Sequence, residues 1–145
     1  MAKLRHIALS VPDCERARKF FEEAFDMKTV ERRGDRVVYM TDGTINVALI
    51  NCEGKPLGSN KDELFYGIDH FGMWVDDIAT ARRQAEAAGA TYVMGNENAA
   101  PGSFYEIKYR DPLGNIFDLT TNGWVGAVKD VVPAEDVEKP KQAAE

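Results

Sequence analysis

Two histidines occur in the 145 residues, His6 and His70, and they lie 64 positions apart. Neutral imidazole is a common ligand for divalent transition ions, so two histidines that meet beside a carboxylate would make a metal site. The carboxylate that stands out is Asp118, set in the apolar run Ile116-Phe117-Asp118-Leu119, where an unpaired buried charge would be very costly. Two histidines and one carboxylate form a facial triad, which leaves coordination positions open and suits Fe(II) and, less selectively, Mn(II) or other divalent ions. Tyr105, Glu106, Lys108 and Tyr109 sit together shortly before Asp118. Whichever alternate set of this short strand faces inward would supply acid–base or anion-binding groups. Tyr105 and Lys108 are taken as the catalytic candidates, although one straight strand cannot turn both to the same side. Against all of this stands the plainer reading, in which a strand histidine or tyrosine is an ordinary structural residue.

What would position the histidines is an internal repeat. Shifted by 64 residues, Arg5 to Val30 overlies Asp69 to Met94 without a gap: His6 falls on His70, Val11 on Val75, Asp13 on Asp77, Ala17 on Ala81, Arg18 on Arg82, Glu22 on Glu86 and Ala24 on Ala88. Each copy opens on an alternating run, His-Ile-Ala-Leu-Ser-Val or His-Phe-Gly-Met-Trp-Val, the period-two pattern of a half-buried strand. Asp13 or Asp77 then starts a helix by accepting from free backbone N–H groups. Ala17, Phe20, Phe21 and Ala24 give the first helix its apolar stripe, and the smaller Ala81, Ala85 and Ala88 give the second; Gly89 ends it. Three shorter strands are expected after each helix, over 29–31, 36–40 and 45–51 and then over 91–94, 104–109 and 116–121. Turns at Gly34-Asp35, Asp42-Gly43 and Asp111-Pro112-Leu113-Gly114 separate them.

The expected fold is therefore α+β, with two paired β-α-β-β-β modules forming a cupped mixed sheet around a metal site. The first module covers 1–51 and the second 67–123, joined by a linker over 52–66 and followed by a C-terminal tail over 124–145, with no fold expected for 132–145. Such a module cannot cover its own sheet face and must share it, and sharing would bring the two first strands, and their imidazoles, together.

Composition narrows the partners. A net charge of −6 and a pI near 5.0 oppose binding to nucleic acid, which needs a concentrated basic face. The local clusters Arg32, Arg33, Arg36 and Arg16, Arg18, Lys19 read as solvated faces. No apolar run approaches the roughly 20 residues of a bilayer crossing, and the N-terminus enters a strand pattern without a secretory signal, so no membrane contact and a cytoplasmic location are expected. Cys14 and Cys52 read as free thiols, too few for a disulfide framework.

Paired β-α-β-β-β modules, a first-strand histidine in each, and Asp111-Pro112-Leu113-Gly114 leading into a strand that bears Asp118 resemble the vicinal oxygen chelate superfamily over about residues 4–121. That superfamily includes glyoxalase I, methylmalonyl-CoA epimerase, fosfomycin-modifying thiol transferases, extradiol dioxygenases and metal-free bleomycin-binding proteins. The resemblance implies that His6, His70 and Asp118 hold one divalent ion, Fe(II) first and Mn, Ni, Co or Zn as alternatives. It also implies a small-molecule substrate with vicinal oxygens and assembly as a homodimer. No subfamily matches throughout. Where glyoxalase I and the epimerases place a fourth ligand, the repeat puts Ala48, or Asn46 if the register moves by two. Lys108 stands where the extradiol pattern has tyrosine, Ala8 where the fosfomycin-modifying pattern has threonine, and Asp118 is one methylene shorter than the usual glutamate.

The function expected from the open triad is dioxygenase-type cleavage of a substrate chelated through two oxygens. A glyoxalase-like lyase or isomerase is the alternative, with Glu106, Tyr105 or a metal-bound water as base. A third reading is a metal-free protein that binds a small molecule in a cup lined by Phe65, Phe71, Trp74 and Trp124.

Overall fold

A computed structural model of the chain describes residues 1–57, 64–96 and 104–131. The two alternating runs become long strands, β1 (Lys3–Ser10) and β5 (Gly67–Trp74), and each is followed by a helix, α1 (Cys14–Phe25) or α2 (Ile78–Ala87). Asp13 and Asp77 cap these helices, their carboxylates accepting from the backbone N–H of Arg16 and Thr80 at 2.9 and 2.7 Å. α2 is capped at its C-terminus by Ala88, and Gly89 follows with φ +97°; α1 is capped instead by Asp26 in the left-handed region. The shorter strands are β2 (Lys28–Arg33), β3 (Val37–Thr41) and β4 (Asn46–Ile50), then β6 (Thr91–Gly95), β7 (Ile107–Arg110) and β8 (Ile116–Thr120). The stretch expected over 104–109 becomes regular only from Ile107.

All eight strands form one sheet in the order β2-β3-β4-β1-β5-β8-β7-β6. The modules join within a single chain, through antiparallel pairing of β1 with β5, while β4 and β8 flank them in parallel. The α+β fold of two paired modules is thus the observed one. Odd-numbered residues of the central strands point toward the helices. Leu9, Leu49, Val38 and Met40 pack with Cys14 and Phe21 under α1, and Val75, Ile107, Tyr109 and Leu119 pack with Ile78 and Ala81 under α2. The opposite face is the concave one, and it carries the buried polar residues His6, Ser10, Asn46, His70, Asp118 and Thr120.

Residues 124–131, grouped with the tail on composition, run along the concave side instead. Backbone bonds join Val128 N–H to Thr44 O at 3.0 Å, and the Thr41 hydroxyl and the Asn46 amide donate to Gly126 O and Val125 O at 2.6 and 2.7 Å. Arg5 donates to the carbonyls of Val128 and Lys129, which fixes the far end. The expectation for 132–145 and part of the linker lie outside the described residues. Arg18, Arg32, Arg33 and Arg36 pair with Glu15 and Glu22, Glu15, Glu31 and Glu53, and Cys14 and Cys52 are free thiols. Among the described residues no helix is long and apolar enough to cross a membrane.

Docking of this segment depends on Gly72. A Cβ there would sit 2.5 Å from two ring atoms of Trp124 and 2.9 Å from the Cβ of His6. G72A is therefore expected to lower the unfolding free energy by about 1–3 kcal/mol through overpacking, read by denaturant titration. Unchanged stability would show that Trp124 is not held against the sheet.

Candidate metal centre

The ladders place the site residues in two adjacent rows. One row runs Thr41, Asn46, His6, Gly72, Asp118, Lys108 across β3, β4, β1, β5, β8 and β7. The next contains Ala48, Ala8, His70 and Ile116. His6 faces Gly72 and His70 faces Ala8, so the histidines are diagonal neighbours on one face of an antiparallel pair, a distance that aromatic side chains span. Their rings lie 5.3 Å apart and their Nε2 atoms 3.4 Å. Asp118 completes the group, with Oδ2 3.3 Å from His70 Nε2.

An oxygen stands behind each ring. His6 Nδ1–H donates to Asn46 Oδ1 at 2.7 Å, and the Asn46 amide is oriented in turn by Val125 O. That bond leaves the His6 Nε2 lone pair facing inward. His70 Nδ1 lies 3.2 Å from Asp69 Oδ2, too oblique for a full hydrogen bond, and Asp69 Oδ1 is buried with no partner. An oxygen behind the outer ring nitrogen is the arrangement that orients metal-ligating histidines. Trp124 stacks on His6 with 4.9 Å between centroids and 6° between planes, and its indole N–H donates to Glu106 Oε1 at 2.6 Å.

His6, His70 and Asp118 are all buried, and one donor atom from each falls within 4.8 Å of the other two. This set fits a divalent ion in both geometry and chemistry, with two imidazoles, one carboxylate and open positions. Burial, followed by repulsion from His70, pulls the His6 imidazole down to about 4. Burial acts on His70 in the same direction, but Asp118 and then Asp69 outweigh it and lift this imidazole to about 9. Asp118 is pushed up by burial and pulled further down by His70 and Lys108, which leaves it below the usual carboxylate range.

Lys108, opposite Asp118 on β7, reaches both of its oxygens at 2.7 Å. Tyr105 is not brought to this group: it packs against the cluster under α2, and its hydroxyl bonds that of Thr121 at 2.8 Å. Strand alternation that turns Lys108 inward turns Ile107 and Tyr109 outward. Ala48 occupies in the first module the position of Asp118 in the second, since Ala48 pairs with Ala8 as Asp118 pairs with Gly72. The repeat marks Asn46 only as an alternative ligand and gives Gly72 no role; nothing in their local pattern marks Asn46 as the group behind His6 or Gly72 as the floor under Trp124. Of the four aromatics proposed to line the cup, Trp124 stacks on His6 and Phe71 on Phe117.

A family model described as Glyoxalase/Bleomycin resistance protein/Dioxygenase superfamily matches residues 3–119. An uncharacterized protein of Pseudomonas aeruginosa is 29% identical over 142 residues, spanning 90% of this chain and 96% of the relative. Among solved structures, the 2,3-dioxygenase LapB from Pseudomonas sp. KL28 is similar at a TM-score of 0.62 and 17% identity, over 86% of this chain and 42% of that one. The Mn(II)-bound glyoxalase from Novosphingobium aromaticivorans is similar at 0.62 and 19%, over 92% and 44%. A methylmalonyl-CoA epimerase variant from Streptomyces coelicolor reaches 0.62 at 12% identity, over 81% and 94%. These likenesses establish the fold.

The two histidines differ in protonation, and that has a measurable consequence. Without an ion, His70 keeps its proton up to about pH 9, whereas His6 is neutral down to about pH 4. Uptake of a divalent ion at neutral pH should therefore expel about one proton, and affinity should rise about tenfold per pH unit towards pH 9 and then level off. Calorimetry in buffers of different ionisation enthalpy counts the protons. A pH-independent affinity across that window would mean that His70 is not a protonated group displaced by the ion.

Proposed function

Because the chain belongs to the Glyoxalase/Bleomycin resistance protein/Dioxygenase superfamily, we propose that it is a metal-dependent enzyme that cleaves, with O₂, a small substrate carrying vicinal oxygens. The observation that carries this reading is the three-donor group of His6, His70 and Asp118 with Ala48, which cannot coordinate, at the symmetry-related corner. A divalent ion held there, Fe(II) in first place, would supply Lewis acidity to two adjacent substrate oxygens. The chain's own part is to hold and orient the substrate. A pocket of about 370 Å³ opens between Glu31, Arg33, Tyr39, Asn46, Phe104 and Trp124, of which Asn46 and Trp124 touch His6, at the small end of ligand sites. Its aromatic walls favour a small planar diol. Lys108 is the group proposed to bind or protonate a substrate oxygen, and Tyr105, on the other side of the sheet, is left without a part in it.

Glu106 supports a second reading, lyase or isomerase chemistry. Its carboxylate lies on the concave side, 3.5 Å from Lys108 Nζ and bonded to Trp124, where it has the character of a base for moving a substrate proton. A homodimer remains part of the proposal by analogy, although all three donors come from one chain; a monomeric mass at micromolar concentration would reject it.

Protein purified without air should carry one divalent ion per chain, and H6A, H70A and D118A should each weaken binding by at least about 100-fold, the upper end of what losing an outer-shell partner costs. O₂ consumption on adding catechols or other vicinal diols is the expected activity. Ion content without O₂ consumption, but with substrate proton exchange, would favour the lyase; no stoichiometric ion would leave a binding protein. A48E should tighten ion binding and suppress turnover, and an unaltered A48E would mean that the open corner lies elsewhere.

A further inference from the structure

Asp118 already holds a cation. Lys108 Nζ lies 2.7 Å from both carboxylate oxygens, with 16% of the lysine side chain and none of the aspartate side chain exposed. A buried carboxylate needs such compensation, and a charge-assisted bond to each oxygen provides it. The same grip stands in the way of a metal ion. An ammonium that faces both oxygens takes the lone pairs on that side, and a dication at the same carboxylate would meet it at close range in a site shielded from water.

The chain also offers the ammonium somewhere to go. Glu106 lies two residues before Lys108, just ahead of β7, with Oε2 3.5 Å from Nζ. Its other oxygen is fixed by the Trp124 indole N–H at 2.6 Å. The lysine stem is flexible and its ammonium donates in three directions. Nζ is thus within ion-pair distance of both carboxylates, and a small swing would shift it from Asp118 to Glu106 without leaving it unpaired.

We propose that Lys108 is the resident cation of this centre: it neutralises Asp118 in the metal-free protein, yields the carboxylate to a divalent ion and withdraws to Glu106, so that the two residues together set ion affinity. This rests on the metal reading of the triad and adds to it a built-in competitor. Lys108 then reaches a substrate oxygen only after the ion has displaced it, which ties its availability to metal loading.

The test is titration of the full-length protein with Mn(II) against a competing chelator. K108M, which removes the competitor, should bind at least 10-fold more tightly than wild type. K108R should bind about 10-fold more weakly, because the guanidinium fork matches a carboxylate and does not let go; it also keeps the buried ion pair, so its folding is not in question. E106Q should weaken binding several-fold in the wild-type background and much less in K108M, where no ammonium needs a second partner. Wild type that binds Mn(II) with K108M no tighter overturns the inference and leaves the triad standing. Equal E106Q effects in both backgrounds overturn the role of Glu106. Absence of Mn(II) binding in every variant, K108M included, overturns the inference and the metal reading together.

Discussion

The site depends on the register of one antiparallel strand pair. β1 and β5 meet so that His6 faces Gly72 and His70 faces Ala8, and these two pairings are the same pairing seen from each module. Because side chains alternate across a sheet, a slip of one residue in either strand would turn its histidine to the helix side. Leu9 under α1 and Met73 under α2 belong to the opposite face and would have to move into the cup at the same time. The two apolar clusters therefore do more than stabilise the modules. They lock the register that makes the imidazoles converge.

Symmetry supplies the histidines, and departure from symmetry supplies everything else. At equivalent places on the last strands, the first module has Asn46 and Ala48 and the second has Ile116 and Asp118. Asn46 lies directly opposite His6 and fixes its ring, while Asp118 lies one row away from His70 and reaches inward beside it. One module thus orients and the other contributes charge. The imidazoles diverge accordingly, His6 pulled below the ordinary histidine value by burial and His70 lifted above it by its carboxylates, although the two residues are equivalent in the repeat.

The segment after β8 finishes the cup. Trp124 lies over Gly72 and against His6, and it ties Glu106 into the same network as Lys108 and Asp118. Its placement needs a glycine beneath the indole and several anchors along the chain, from Thr41 and Asn46 on β3 and β4 to Arg5 on β1. This segment couples the pocket beside His6 to the charged end of the site.

The repeat, the strand–helix order, the cap residues and the pairing of His6 with His70 were legible in the sequence, because each is a local signal read twice in one chain: alternation, a 3.6-residue stripe, an aspartate before a helix. Asp118 was legible as a charge in an apolar strand. Local signals do not carry register between strands distant in the chain, so whether the modules pair within one chain, which residue faces His6 and where Trp124 lies were decided only in the folded sheet. The parity of β7 was equally hidden. Tyr105 and Lys108 stand three residues apart in a stretch that patterns as a strand, and it is the pairing of Lys108 with Asp118 that turns one inward and leaves the other beneath α2. Residues 124–131 show no regular period, yet hydrogen bonds to β3, β4 and β1 hold them down, since the partners of those bonds are supplied by strands 79 or more residues earlier in the chain.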